Sequence, residues 1–216
     1  MSETILAFDT VVSSGDVSVW RDGRELDSST GESGASSSET LLNTISRIIE
    51  ENQLERSEID LLAVSLGPGS YTGIRIGIAT AYGLSASLNC ETIGLSTLEI
   101  LANSIETNEW VVSGVWAGRN EIAHQEFEAG KDVIGGIELE TVEDLLSKYS
   151  GRNVKIALDR KSFEEVRKVR PKPLDNIFTP KTNIASVLAE IAAGRLVGAT
   201  GVELTPIYSR SLFDKK

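Results

Sequence analysis

A continuous apolar run followed at once by a glycine-rich segment limits the folds open to this chain more than any other feature. The run is Leu61-Leu-Ala-Val-Ser-Leu, and the segment is Gly67-Pro-Gly-Ser-Tyr-Thr-Gly-Ile-Arg-Ile-Gly. An apolar run of strand length predicts a strand that is buried on both faces, as in the parallel part of an α/β sheet. The residues from 73 to about 88 then follow a helical pattern. We therefore expect a buried strand, a tight loop and a helix in succession.

The order of predicted elements around this segment occurs twice in the chain. Within residues 1–105, three strands precede a helix, a buried strand, a second helix, a short strand and a third helix. A similar order returns after about residue 108. We therefore predict an α/β protein with two related lobes of ribonuclease-H-like type. The first is residues 1–105, joined by the C-terminal segment 204–216, and the second is residues 106–203.

The helix after the glycine-rich segment carries small side chains at every fourth position: Gly73, Gly77, Ala81 and Ser85. Residues four apart lie on one face of a helix, and side chains this small allow two backbones to approach closely. A glycine inside a helix costs about 0.5–1 kcal/mol relative to alanine, so a close contact must compensate. That contact is either with the sheet beneath the helix or with a helix of another chain.

The glycine-rich segment itself has two interpretations. A junction between a strand and a helix can bind phosphate through its backbone N–H groups. The segment lacks the lysine of a Walker loop, and its glycines do not have dinucleotide-binding spacing. The other interpretation is a tight turn that leads the chain into the helix.

The charge of the chain is acidic, with 21 basic and 32 acidic side chains among 216 residues and a net charge of −11. Because basic side chains provide most of the affinity for nucleic acid, we expect no tight binding of RNA by this chain alone. Residues 151–172 are the exception, with eight basic and three acidic side chains. This stretch is either a solvated helix face or a docking patch.

The compartment is predicted from cysteine usage and hydropathy. A single cysteine, Cys90, excludes an internal disulfide and a cysteine-based zinc site. The first nine residues lack a basic region, so no signal peptide is expected, and no apolar stretch reaches the ~18 residues of a membrane span. We predict a cytoplasmic protein that does not contact the membrane.

Residues for independent catalysis are scarce in this sequence. The single histidine, His124, falls in a predicted strand, and there is no H-E-x-x-H pair and no G-x-S-x-G motif near a histidine. We therefore predict no catalytic residue and no metal site. Asp9 and Thr10 end the first predicted strand.

Four segments of the chain resemble the TsaB family: Ile5-Leu-Ala-Phe-Asp-Thr, the glycine-rich segment, Leu95-Ser-Thr-Leu-Glu-Ile-Leu-Ala and Pro206-Ile-Tyr-Ser-Arg. The resemblance covers most of residues 1–105. It implies a two-lobed fold of the actin-like, Hsp70-like ATPase type. It departs at Ser36-Ser-Ser, where the family often has a histidine, and at Ala117-Gly-Arg-Asn, where only Arg119 of an Asp-Ala-Arg-Arg stretch is kept.

The resemblance also implies a function. The chain would be a non-catalytic subunit that docks on a TsaD-like catalytic subunit, together with a TsaE-like ATPase, to form N6-threonylcarbamoyladenosine at position 37 of tRNAs. It would form a homodimer when alone and would meet tRNA only through the complex. The alternative is an enzyme that acts alone, either a weak nucleotide-binding ATPase or a peptidase.

Site residues follow from the same resemblance. Asp9 and Thr10 would be the relic of a nucleotide site, with no cofactor required and weak nucleotide binding at most. The predicted partner interface consists of two stretches, one on the first helix and one running from the glycine-rich segment into the second helix. Its residues are Leu41, Ile45, Gly67, Pro68, Gly69, Ser70, Tyr71, Thr72, Gly73, Arg75, Gly77, Ala81 and Ser85.

Overall fold

The computed structural model describes residues 3–31, 37–129, 131–171, 175–195 and 203–210. These residues form two compact units. Unit 1 comprises Met1–Ser96 and Thr182–Ile207, and unit 2 comprises Thr97–Lys181 with the residues that follow Ile207. No helix within the described part of the chain has the length and apolar character needed to span a membrane.

Unit 1 is a five-stranded sheet with helices packed on it. Its elements are β1 (Thr4–Asp9), β2 (Asp16–Arg21), β3 (Arg24–Ser29), α1 (Ser37–Glu51), a 3₁₀ turn (Arg56–Glu58), β4 (Leu61–Ser65), α2 (Tyr71–Leu88), β5 (Glu91–Leu95) and α6 (Ile184–Arg195). The strand order is β3-β2-β1-β4-β5. The first three strands are antiparallel, and β1, β4 and β5 are parallel. α6 packs on β1, β2 and β4, while α2 packs on β4 and β5.

Every residue of β1 and of β4 is buried, so both faces of the centre of this sheet are covered. This confirms the expectation that Leu61–Ser65 forms a strand buried on both faces. The turn between β2 and β3 consists of Asp22 and Gly23, which both have positive φ. A two-residue turn of this type joins two neighbouring strands as an antiparallel hairpin.

Unit 2 has a sheet of the same design. Its elements are α3 (Thr97–Asn103), β6 (Trp110–Gly118), β7 (Glu121–Phe127), β8 (Val133–Thr141), α4 (Val142–Lys148), β9 (Val154–Leu158), α5 (Arg160–Val169) and β10 (Ile177–Phe178). The strand order is β10-β9-β6-β7-β8, with β6, β7 and β8 antiparallel and β6, β9 and β10 parallel. Its core includes Val112, Ile122, Leu145, Tyr149 and Ile156.

The two sheets match strand for strand, with β1 to β5 corresponding to β6 to β10. The predicted α/β class with two related lobes is therefore confirmed. The unit boundaries differ from the predicted lobes at three points. α3 belongs to unit 2, since it packs on β6, β7 and β9, and α6 belongs to unit 1. Residues 208–210 go with unit 2, and residues 211–216 lie outside the described part of the chain.

Candidate functional site: the α1/α2 helices and the loop at Asp9

The glycine-rich loop between β4 and α2 is a tight turn. Gly67 has φ +98°, and a Cβ at this position would lie 2.3 Å from the carbonyl oxygen of Ile207. Ser70 caps α2, because its Oγ accepts a hydrogen bond from the N–H of Gly73 at 3.1 Å. The Ser70 N–H in turn donates to the carbonyl of Val11 at 3.2 Å. These contacts favour the turn interpretation over a phosphate cradle.

The small-residue stripe of α2 faces the sheet of its own chain. A Cβ on Gly73 would lie 1.9 Å from the carbonyl oxygen of Thr10, and one on Gly77 would lie 2.8 Å from Thr10 Oγ1. Thr10 Oγ1 donates to the carbonyl of Gly73 at 2.7 Å, and Ala81 is fully buried. The prediction that Gly73, Gly77 and Ala81 contact a partner is therefore corrected. Their small size lets α2 approach the end of β1.

The other predicted interface residues fall into three groups. Leu41, Ile45, Gly67 and Pro68 are buried within unit 1, and so they too are removed from the interface. Gly69 and Ser85 are half-buried, and Ser85 Oγ donates to the carbonyl of Cys90 at 2.6 Å. The exposed group is Ser70, Tyr71, Thr72 and Arg75.

A second row of α2 residues points outward, and of this row only Tyr71 and Arg75 belong to the predicted interface. Tyr82 is 46% exposed, and a Cβ on Gly83 would meet no atom within 4 Å. On α1, which contacts α2, Leu42 is 52% exposed. The signal was the repetition of small residues at Ala79 and Gly83, four apart like the inner stripe. Seven exposed residues of these helices define the outer α1/α2 face: Leu42, Tyr71, Arg75, Ala79, Tyr82, Gly83 and Ala86.

Two aromatic side chains of this face have fixed surroundings. The guanidinium of Arg75 lies 4.1 Å from the centre of the Tyr71 ring. Tyr82 Oη accepts a hydrogen bond from the N–H of Leu204 at 3.0 Å. Ordered aromatic rings lose little conformational entropy when a second surface covers them, which suits them to protein contacts.

Asp9 is fully buried, and its carboxylate binds the loop that follows it. Oδ2 accepts the N–H groups of Val12 at 3.1 Å and Ser13 at 2.8 Å, and Oδ1 accepts that of Val11 at 3.3 Å. The hydroxyl of Ser65, at the end of β4, also donates to Oδ1. The loop N–H groups that a bound phosphate would require are thus directed at a carboxylate of the chain itself.

Two other residues that the sequence singled out, His124 and Cys90, are buried and half-buried, respectively. His124 is 1% exposed, and burial lowers the pKa of its imidazole. It lies beside Glu138 and Glu140, a grouping that local sequence patterns do not predict. Burial raises the pKa of the Cys90 thiol, which keeps it in the unreactive protonated form. Arg119 is exposed at positive φ between β6 and β7.

Comparison with known proteins identifies the family. The family model described as "TsaD: tRNA N6-adenosine threonylcarbamoyltransferase" matches residues 32–198. The tRNA threonylcarbamoyladenosine biosynthesis protein TsaB of Buchnera aphidicola subsp. Baizongia pistaciae is 38% identical over 109 residues, 50% of this chain and 49% of that protein. TsaB of Escherichia coli K12 is 25% identical over 174 residues, 76% of this chain and 75% of that protein. The chain belongs to the TsaB family, within the wider TsaD-like domain family.

The sequence similarity and the structural similarity extend over different lengths of the chain. The alignment with the Buchnera TsaB spans about half the length of that relative. YeaZ from Pseudomonas aeruginosa shares the fold with a TM-score of 0.73 over 95% of this chain and 99% of that protein, at 22% identity. The fold is therefore common to both chains over nearly their whole lengths.

Proposed function

We propose that this chain is a TsaB subunit that docks on a TsaD-like catalytic subunit and supports formation of N6-threonylcarbamoyladenosine at position 37 of tRNAs. Membership of the TsaB family carries this proposal, because its curated relatives are named for threonylcarbamoyladenosine biosynthesis. The match to the TsaD family model supports a pairing of two related folds, and related folds can associate through equivalent surfaces.

The docking surface in this proposal is the outer α1/α2 face. It combines small side chains at Ala79 and Gly83 with the exposed rings of Tyr71 and Tyr82. Small side chains allow a second helix to approach, while aromatic rings and arginine are the residue types enriched at protein interfaces. The same face would join two copies of this chain when the TsaD-like subunit is absent.

The chain acts in this proposal without catalysis of its own. The carboxylate of Asp9 already accepts the loop N–H groups, so a nucleotide phosphate would have to displace it. Nucleotide binding to the isolated chain is therefore weak at most, and the complex relies on a TsaE-like ATPase for hydrolysis. The net charge of −11 supports contact with tRNA through the partner rather than through this chain.

Two matched glycine substitutions distinguish an effect on the docking surface from a general effect of placing leucine in an exposed helix. Gly83 in α2 and Gly194 in α6 are both exposed helical glycines, and a Cβ added at either would meet no atom within 4 Å. A protruding leucine at Gly83 should overpack the interface by about 1–3 kcal/mol, which corresponds to roughly 5- to 150-fold in Kd. Gly194→Leu should leave the Kd unchanged. Calorimetric titration against a purified TsaD-like subunit measures both values.

Sedimentation of the chain alone tests the homodimer with the same two variants. Dimers in the wild type and in Gly194→Leu, with monomers in Gly83→Leu, are expected. Equal affinity of all three proteins for the TsaD-like subunit would remove the outer α1/α2 face from the proposal. An assay of tRNA modification in the reconstituted system tests the function itself, and ATP hydrolysis by the purified chain alone would favour the alternative of an independent ATPase.

A further inference from the structure

A buried histidine and two glutamates meet on one face of the sheet in unit 2. His124 of β7 pairs directly with Glu138 of β8, and Glu140 lies two residues further along the same strand. Residues two apart on a strand share a face, so all three side chains project to the same side. Their ligand atoms lie within 4.8 Å of one another. None of the three belongs to the outer α1/α2 face.

The polar atoms at the centre of this cluster lack hydrogen-bond partners. His124 is 1% exposed, and neither of its ring nitrogens makes a hydrogen bond of acceptable geometry within the described residues. Oε2 of Glu140 is likewise buried and without a hydrogen bond, although it lies 3.1 Å from His124 Nε2. Burying polar atoms without partners is costly, so native structures usually satisfy them with protein, water or an ion.

The spacing of these atoms fits a small divalent ion. With metal bonds of about 2.1 Å, a 3.1 Å separation between Nε2 and the Glu140 oxygen corresponds to an angle of about 95° at the metal. The 3.9 Å separation between Nε2 and the Glu138 oxygen corresponds to about 136°. These angles lie on either side of the tetrahedral value. One imidazole nitrogen and two carboxylate oxygens form a donor set that zinc accepts.

Two residues at the C-terminal end of α4, Lys148 and Tyr149, complete the surroundings of the cluster. The Tyr149 ring packs edge-on against the His124 ring, with 5.9 Å between the ring centres. The Tyr149 hydroxyl donates a hydrogen bond to Glu126, which fixes the Tyr149 ring and so restricts the orientation of the imidazole. The ammonium of Lys148 contacts both carboxylates. The Lys148 ammonium therefore occupies the position next to the carboxylates that a metal ion would take. Because the Lys148 side chain is 27% exposed, it can move out into solvent when an ion binds.

We propose that His124, Glu138 and Glu140 form a site for one zinc-class divalent ion, in competition with the Lys148 ammonium. The count of histidines in the sequence excluded a site built of several imidazoles, but it did not address one in which two ligands are carboxylates. The position of Lys148 leads to a specific expectation. Removing the competing ammonium while keeping the ligands should tighten metal binding.

The test is a titration of the full chain, without an affinity tag, with Zn²⁺ by calorimetry and with Co²⁺ by visible absorption. The wild type should bind one ion, Lys148→Met should bind it at least tenfold more tightly, and Glu140→Gln should bind it at least tenfold more weakly. Glu143→Gln, an exposed carboxylate on α4 outside the cluster, is the matched control and should equal the wild type. His124→Gln should abolish the Co²⁺ absorption bands.

Circular dichroism establishes that each variant is folded before titration, and Glu138→Gln replaces the histidine variant if the latter fails to fold. A structural ion-pair network that binds no metal predicts a different result. The absence of a saturable site in both the wild type and Lys148→Met would overturn the proposal. So would binding that Glu140→Gln and Glu138→Gln leave unchanged.

Discussion

The two units share a strand order, but the buried aspartate where the first and fourth strands end belongs to a different strand in each unit. In unit 1, Asp9 ends β1 and accepts hydrogen bonds from the loop that follows it and from Ser65 at the end of β4. In unit 2, Asp159 follows β9, the counterpart of β4. Its Oδ1 accepts the N–H groups of Trp116 in β6 at 3.2 Å and Ser162 in α5 at 3.1 Å.

This difference teaches that the fold needs a buried acceptor where the first and fourth strands of each sheet end, whichever strand supplies it. The chain leaves the sheet at the carboxyl ends of these strands, and the backbone N–H groups of the loops that follow require hydrogen-bond partners. An aspartate at the end of β1 is therefore accounted for by the architecture. By itself it is weak support for a nucleotide site.

The largest expected effect comes from removing each carboxylate in turn. Asp9→Ala leaves three loop N–H groups and the Ser65 hydroxyl without their acceptor, and we expect a loss of about 4 kcal/mol in the free energy of unfolding. Asp159→Ala removes the acceptor of two N–H groups and should cost about 2 kcal/mol. Urea unfolding followed by circular dichroism measures both.

The exposed Asp132→Ala is the control for these two variants and should match the wild type. Equal losses in Asp9→Ala and Asp159→Ala would contradict the stated difference between the units. Unchanged stability in Asp9→Ala would restore the view that this aspartate is kept for a ligand rather than for the fold.

The second prediction contrasts the two sides of α2. Gly77→Leu places a side chain against Thr10 and Val64, where even a Cβ is too close, and should cost about 3 kcal/mol in the free energy of unfolding. Gly83→Leu has open space around it and should stabilise the helix by roughly 0.5–1 kcal/mol. Thermal unfolding of both variants under the same conditions measures the contrast.

A Gly77→Leu variant that unfolds like the wild type would show that the inner stripe is not packed against the end of β1. At a protein concentration where the wild type is monomeric, a Gly83→Leu variant that loses stability would show that this residue is covered within the chain. Either result would reverse the assignment of the inner and outer sides of the helix.

Sequence patterns predicted the fold well because its signals are local. The buried run at residues 61–65, the turn at Asp22 and Gly23, and the repeated order of elements each depend on a few neighbouring residues. The domain boundaries were harder, since α6 follows unit 2 in sequence and packs on unit 1. The pattern of apolar residues in a helix does not indicate which of two sheets the helix will pack on.

The inner stripe of α2 was predicted to face a partner, but it faces the sheet of its own chain. Periodicity places Gly73 and Gly77 on one face, and it places Ala79 and Gly83 on another, without saying which face meets the sheet. Only the approach of Thr10 to Gly73 decides this. The cluster at His124 depends on the register of β7 with β8, which local sequence does not specify.

The smallest expected effect is a dependence on pH that belongs to Asp159. Burial raises the pKa of this carboxyl, although hydrogen bonds from Ser162 and Trp116 act in the opposite direction. The folded chain therefore takes up this proton at a higher pH than the unfolded chain does. As the pH falls from about 7 towards about 4, this residue adds stability to the folded state, and the contribution is lost again as the pH rises.

Asp159→Asn keeps an Oδ1 that can accept both N–H groups and removes the titration. The wild type should therefore gain stability relative to Asp159→Asn as the solution is acidified, as measured by urea unfolding at a series of pH values. A constant difference between the wild type and Asp159→Asn across that series would mean that Asp159 serves unit 2 only as a hydrogen-bond acceptor.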